Sequence, residues 1–98
     1  MVGLRFEWDE DKDQANRRRH GVSFREAQTV FVDERGLFMA DPNHSEDEDR
    51  FILLGLSASL RLLLVCHCYR ASDELIRLIS ARKATRAEAR QYRTRWKT

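Results

Sequence analysis

Between Leu37 and Arg82 the chain reads as four β-strands in succession, and this series limits the fold more than any other feature. Leu37 to Ala40, Arg50 to Ser57, Leu60 to Tyr69 and Glu74 to Arg82 are apolar stretches of strand length bounded by turn-forming sequence. The punctuation is Gly36, then Asp41-Pro42-Asn43-His44-Ser45, then Ala58-Ser59, then Arg70-Ala71-Ser72-Asp73. The last of these is short enough for an antiparallel hairpin. Sequential strands with short links predict an antiparallel meander sheet.

Helical signals flank the strands. Arg5 to Trp8 is a short β-like segment, after which Asp9 can cap a helix running to His20, with Gly21 placed to end it. Between Glu10 and His20 the only apolar residue is Ala15, so this helix is expected on the surface, with Arg17-Arg18-Arg19 at the end where cations suit the dipole. Ser23 and Glu26 form a capping box for a second helix, with Val22 and Ala27 as its staple. Its face Phe24, Ala27, Val30 and Phe31 points to a core. A last helix starts at Thr85 with Glu88 in the box position and Ala89, Tyr92 and Trp96 as its packing face. The order β-α-α-β-β-β-β-α predicts an α+β fold, an antiparallel sheet with helices mainly on one face, in a single domain over 1–98.

Several function classes fall away. The longest apolar run, Leu60 to Cys68 interrupted by Arg61 and His67, is far short of the roughly 20 residues of a membrane span. The N-terminus lacks the order of a secretory signal, so a cytoplasmic protein is expected. Cys66 and Cys68 share one strand face about 7 Å apart, which disfavours a disulfide between them. His67 points the other way and no further ligand motif accompanies them, so no metal is expected and the cysteines read as small core residues. The four glycines are isolated from one another, and no GxSxG occurs, so neither a nucleotide cofactor nor a serine hydrolase is expected.

What remains is cationic. The net charge is only +2, but Glu46 to Asp49 is wholly acidic while Arg82 to Lys97 is strongly basic. Strand residues Arg50, Arg61, Arg77 and Arg82, then Lys83, precede a helical stripe of Arg86, Arg90, Arg93 and Lys97 at i, i+4, i+7, i+11. Guanidinium forks match phosphate oxygens, and such a stripe can follow a nucleic-acid backbone; the alternative is a solvated face that serves solubility. Trp8, Tyr69, Tyr92 and Trp96 can stack on splayed bases, although the spacing of Tyr92 and Trp96 assigns them to the core. His20, His44 and His67 have the pKa range that acid-base cleavage of RNA wants, against the alternatives of a helix-end residue, a loop residue and a half-buried strand residue.

The combination Phe6-Glu7-Trp8-Asp9, Lys12, Asn16 and His20-Gly21-Val22-Ser23-Phe24 resembles the opening of the BrnT family of toxins. Asp41-Pro42, His44-Ser45, Glu48, Arg50-Phe51 and Gly55 resemble its middle, and Arg61-Leu62-Leu63 its next strand. Ile79-Ser80-Ala81-Arg82-Lys83-Ala84-Thr85 with Glu88 and Tyr92 is similar to its end. The resemblance implies a fold related to RelE-type ribonucleases and an endoribonuclease that inhibits translation. It also implies a cognate, DNA-binding, BrnA-like antitoxin that neutralises the toxin, in a heterotetramer. Carried onto this chain, it implies that Arg82 and Arg50 hold the scissile phosphate with Lys83 assisting. His20, His67 or Glu7 would transfer protons, and Trp8 would stack on a base. On the charge pattern, not the resemblance, Arg61, Arg86, Arg90, Arg93 and Lys97 would contact RNA. Two other readings stay open: a non-catalytic RNA- or ribosome-binding module, and a protein-interaction subunit.

Overall fold

The structure, a computed structural model, describes residues 3–42, 49–70 and 74–95. His44, most of the acidic run, Trp96 and Lys97 lie outside them. The elements are β1 (Arg5–Glu7), α1 (Glu10–His20), α2 (Phe24–Gln28), a 3-10 turn (Thr29–Val32), β2 (Leu37–Ala40), β3 (Phe51–Leu56), β4 (Leu62–Arg70), β5 (Leu75–Lys83) and α3 (Arg86–Arg95). The expected order of elements is therefore present. Asp9 accepts from the N–H groups of Asp11 and Lys12, Gly21 ends α1 at φ 70°, and Thr85 and Glu88 bond reciprocally as a capping box; at Ser23 only half of the expected box is present, because Ser23 accepts from Glu26 N–H while the Glu26 carboxylate turns to Arg61 and Ser57.

The five strands form one sheet in the order β1-β5-β4-β3-β2. β2 to β5 make the antiparallel meander. β1 joins the far edge parallel to β5, with Arg5 opposite Leu75 and Glu7 opposite Arg77. The sheet is thus mixed, because a three-residue N-terminal strand carries no pattern that names its partner.

Strand alternation separates two cores. On one face Leu53, Leu63, Val65, Ile76, Leu78 and Ala81 pack under Val22, Phe24, Ala27 and Val30 of the N-terminal helical segment. On the other, Leu37, Leu54, Leu56, Leu62 and Leu64 pack under Tyr92 of α3. Gly55 lies beneath the first helical layer, where a Cβ would come within 2.9 Å of Val30 Cγ1 and 3.0 Å of Asp33 Oδ2.

α1 departs from expectation in how it docks. Ala15 is exposed, and the buried residues are polar: Asp13 and Asn16. Asn16 Nδ2 donates to the carbonyls of Val22 and Ala81 at 2.8 Å each, while Asn16 Oδ1 accepts from Ala81 N–H at 3.1 Å. The side-chain amide thereby takes the place of a strand neighbour on β5 beyond the point where β1 stops. Asp13 Oδ1 accepts from Phe24 N–H at 2.8 Å, joining α1 to the start of α2. A helix without an apolar stripe is held by directed hydrogen bonds instead.

His67 is fully buried on the helical-segment face, within 4.8 to 6.3 Å of the rings of Phe31, Tyr69, Phe38 and Phe51. Its Nδ1 lies 3.2 Å from the Val65 carbonyl, and its Nε2 has no hydrogen-bond partner among the described residues. Burial pushes its pKa down to about 4, only partly offset by the Val65 carbonyl.

Two outcomes are expected. Asn16→Ala leaves the Ala81 and Val22 backbone groups without these partners and lowers unfolding free energy by about 3 kcal/mol in urea denaturation. His67 stays neutral in the fold, so below its ordinary pKa of 6.5 the unfolded chain takes up a proton that the folded chain refuses. Stability therefore falls as pH drops from 6.5 toward 4, by roughly 3 kcal/mol in full. Denaturation midpoints of His67→Leu between pH 7 and 4.5 should show that slope flattened.

Candidate nucleic-acid interface

α3 covers only one end of its sheet face. The other end carries Arg50, Cys66, Cys68, Arg70, Arg77, Ser80 and Glu7, brought together by register. Arg77 is paired with Cys68 on one side and Glu7 on the other. Cys66 lies between Ile52 and Ser80. Arg50, one residue before β3, falls by alternation on the face of Ile52, and its charge acts on Cys66. The result is a small-residue floor of Cys66, Cys68 and Ser80 edged by guanidinium groups.

A register shift in the β4–β5 ladder produces this grouping. Cys66 pairs with Ser80 but His67 pairs with Leu78, so Ile79 is an extra residue in β5. Strict alternation would put Arg77 and Arg82 on opposite faces; the bulge returns them to the same one.

The arginines differ in what holds them. Arg82 is clamped by both guanidinium nitrogens to Glu88, at 2.8 and 2.9 Å, and also donates to the Lys83 carbonyl. The Arg82 hydrogen bonds, joined by those of Thr85, hold the Glu88 carboxyl down at about 2. Arg77 Nη1 donates to Glu7 Oε2 at 3.0 Å, and Arg70 Nε lies 3.9 Å from the same oxygen. Here one carboxylate lies against two cations. Cys66 Sγ lies 3.4 Å from Asp41 Oδ2, and burial, then Asp41, pushes its thiol up to about 11. Such a thiol remains protonated at neutral pH.

The other candidate residues lie elsewhere. Arg61 is a corner lock: Nε donates to Glu26 Oε2 at 2.9 Å, and Nη2 bonds Glu26 Oε1 and the Gly21 carbonyl. Ser57 Oγ donates to the same carboxylate at 2.7 Å. Arg61, then Ser57, holds Glu26 below the ordinary carboxylate range, despite its partial burial. Lys83, opposite Leu63, projects toward this Glu26 network on the helical-segment face. His20 ends α1, the residue before Gly21, on the same side. His67 is sealed beneath its aromatic rings. Trp8 packs edge-on against Phe24 and donates its indole N–H to Glu10 at 3.1 Å, so it belongs to the helical-segment core and does not border the arginine floor. Arg86, Arg90 and Arg93 are exposed on α3. The structure thus unites Arg50, Arg82 and Glu7 on one face and adds Arg70 and Arg77. It places His20, His67, Lys83, Arg61 and Trp8 on the other.

Residues 8–88 match the family described as the ribonuclease toxin, BrnT, of type II toxin-antitoxin systems. The chain belongs to the BrnT family. No curated protein matches it. The crystal structure of the Brucella abortus ribonuclease toxin BrnT has a similar fold, with a TM-score of 0.60 over 85% of this chain and 99% of that one, at 22% identity. Family membership makes this a toxin of the ribonuclease class and implies an antitoxin partner. Among the described residues, no helix is long and apolar enough to cross a membrane.

The Arg82–Glu88 clamp predicts a structural effect. Arg82→Ala and Glu88→Ala should each destabilise the fold, and the double variant should be less destabilised than their sum by about 1 kcal/mol, a modest coupling because the pair is partly exposed. Thermal and urea unfolding of the four proteins would measure it.

Proposed function

We propose that this chain is an endoribonuclease toxin that inhibits translation by cutting RNA, without a metal ion, on the arginine-edged end of the sheet. The observation that carries the reading is the convergence of Arg50, Arg70, Arg77 and Arg82 on one sheet face beside Glu7. Guanidinium forks fit phosphate, and they stabilise the charge that develops on phosphoryl oxygens when the backbone is cleaved. Arg50 is assigned to backbone binding, and Arg86, Arg90 and Arg93 to the continuation of the RNA along α3. Arg82, already bound through both nitrogens, is assigned to holding α3 at the margin of the site. A phosphate reaches it only by displacing Glu88.

Membership of a type II toxin-antitoxin family supports a partner that neutralises the activity. We assign it as a BrnA-like, DNA-binding antitoxin in a heterotetramer, acting in the cytoplasm and covering the basic face. A non-catalytic RNA-binding module uses the same arginines and differs only in leaving RNA intact.

Expression of the chain in a bacterial host should give growth arrest with RNA fragmentation when the neighbouring antitoxin gene is absent and normal growth when it is co-expressed. Cleavage by the purified chain should persist in excess chelator. Arrest with intact RNA would favour the binding module, and normal growth with soluble folded protein would remove the toxin reading.

A further inference from the structure

A groove of about 340 Å³ runs between α1 and the start of α2, on the helical-segment side of the sheet. It is lined by Trp8, Glu10, Asp13, Arg17, Ser23 and Arg25, and its volume falls in the range of small-molecule pockets, about 300–1,000 Å³. Glu10, Asp13 and Arg17 lie at i, i+3, i+7 and share one face of α1, while Ser23 and Arg25 form the opposite wall. Both walls are fixed. Asp13 Oδ1 accepts from Phe24 N–H at 2.8 Å, tying one to the other, and Ser23 Oγ accepts from Glu26 N–H at 3.0 Å. Trp8, half-buried against Phe24, donates its indole N–H to Glu10 Oε1 at 3.1 Å, which holds that carboxylate beside the ring. Glu10 Oε2 and the exposed Arg25 guanidinium have no partner among the described residues. Arg17 is held only by Asp13 Oδ2 at 3.7 Å, with its side chain 52% exposed.

We propose that this groove binds a guanine nucleotide: Trp8 stacks on the base, the Glu10 carboxylate accepts from its N1–H and N2–H groups, and Arg17 and Arg25 take its phosphate. The site is separate from the arginine floor and does not depend on the ribonuclease reading. A carboxylate only accepts hydrogen bonds. Guanine alone among the four bases sets two donors side by side on its Watson–Crick edge. Adenine and cytosine put a donor next to an acceptor there, and uracil sets one donor between two acceptors. An aromatic ring with a carboxylate fixed at its side therefore selects guanine, and stacking with contact to that edge is the general way an unpaired base is read. The spacing agrees. Seven residues of helix set Glu10 and Arg17 about 10 Å apart along the axis of α1, comparable to the span from that edge of guanine to the 5′-phosphate. Guanidinium forks suit the phosphate oxygens. An apolar ligand would meet four charged side chains among the six that line the groove, and a bare anion would leave Trp8 and Glu10 unused. A free guanine nucleotide and an unpaired guanosine within RNA share this chemistry.

The test is calorimetric titration of the purified chain with GMP, AMP and guanosine, and with two 2′-O-methyl oligouridylates, one carrying a single internal guanosine. The 2′-O-methyl groups block cleavage, so binding alone is read. GMP should bind at least about 10-fold more tightly than AMP, and more tightly than guanosine. Glu10→Gln, which replaces one acceptor with a donor, should weaken GMP by about 10-fold and remove its advantage over AMP. Arg25→Ala should weaken GMP by about 10-fold, leave guanosine unchanged, and lower the salt dependence of oligonucleotide binding by roughly 0.7 in log–log slope. Its melting temperature should match the wild type, because Arg25 has no partner in the described fold. Arg77→Ala, on the other sheet face, should bind GMP as the wild type does. Oligonucleotide binding that needs the guanosine and is lost in Glu10→Gln would identify an RNA base as the occupant; GMP binding with no effect of guanosine in the oligonucleotide would identify a free nucleotide. Equal affinity for GMP and AMP, undiminished GMP binding in both Glu10→Gln and Arg25→Ala, or no binding of any probe at about 1 mM would overturn the proposal.

Discussion

Two polar side chains complete the sheet where its strands run out. Asn16 presents a carbonyl and an amide to both backbone groups of Ala81, at the edge of β5 that the three-residue β1 leaves uncovered. Asp33 accepts from Leu56 N–H at 2.8 Å on β3, beyond the end of the four-residue β2. A bare strand edge inside a fold strands its N–H and C=O groups, and short edge strands make that problem acute. Each substitute strand carries a helix with it. Asn16 fixes α1 on the sheet, and Asp33, receiving the Tyr92 hydroxyl at 2.6 Å, fixes α3. Burial raises the Asp33 carboxyl, but the hydrogen bonds from Leu56, Tyr92 and Arg35 N–H outweigh it and hold it below its ordinary value. Burial and Asp33 together push the Tyr92 hydroxyl up to about 12, so the bond persists across the neutral range.

With both helices pinned, the two sheet faces divide their roles. The helical-segment face is packed and rigid, with His67 at a fully enclosed position and Arg61 spent on closing the corner between α2 and the β3–β4 turn. The α3 face is half covered, and the open half carries the arginines. Its floor is made of small residues, the buried Cys66 and Cys68 and the exposed Ser80. The same charge type therefore sits in two settings: Arg61 and Arg82 each hold one carboxylate through two nitrogens, while Arg70 and Arg77 lie against the single carboxylate of Glu7.

Much of the fold is legible before any coordinates. The four strands, the N-cap at Ser23, the capping box at Thr85, the αL glycine ending α1, and the cores of α2 and α3 follow from periodicity and capping chemistry, which act over a few residues. Of the candidate site, Arg50, Arg82 and Glu7 are found by resemblance, and Arg77 by its charge. Arg70 has no local signal beyond its charge. His67 illustrates the opposite failure: it has the right chemistry at a strand position, yet the side chain points under Phe31 and Phe38.

What the sequence determined by itself is the succession of elements and their apolar faces, because neighbouring residues set hydrogen-bond caps and packing stripes without outside help. The tertiary structure alone decided that β1 runs parallel to β5, that a helix with no apolar stripe docks through Asn16, and that one bulged residue in β5 turns Arg77 to the side of Arg82. Each depends on partners that lie 65 to 70 residues away or on a one-residue change of register. A period-2 pattern has no memory of such a slip, and the direction of every side chain beyond it reverses.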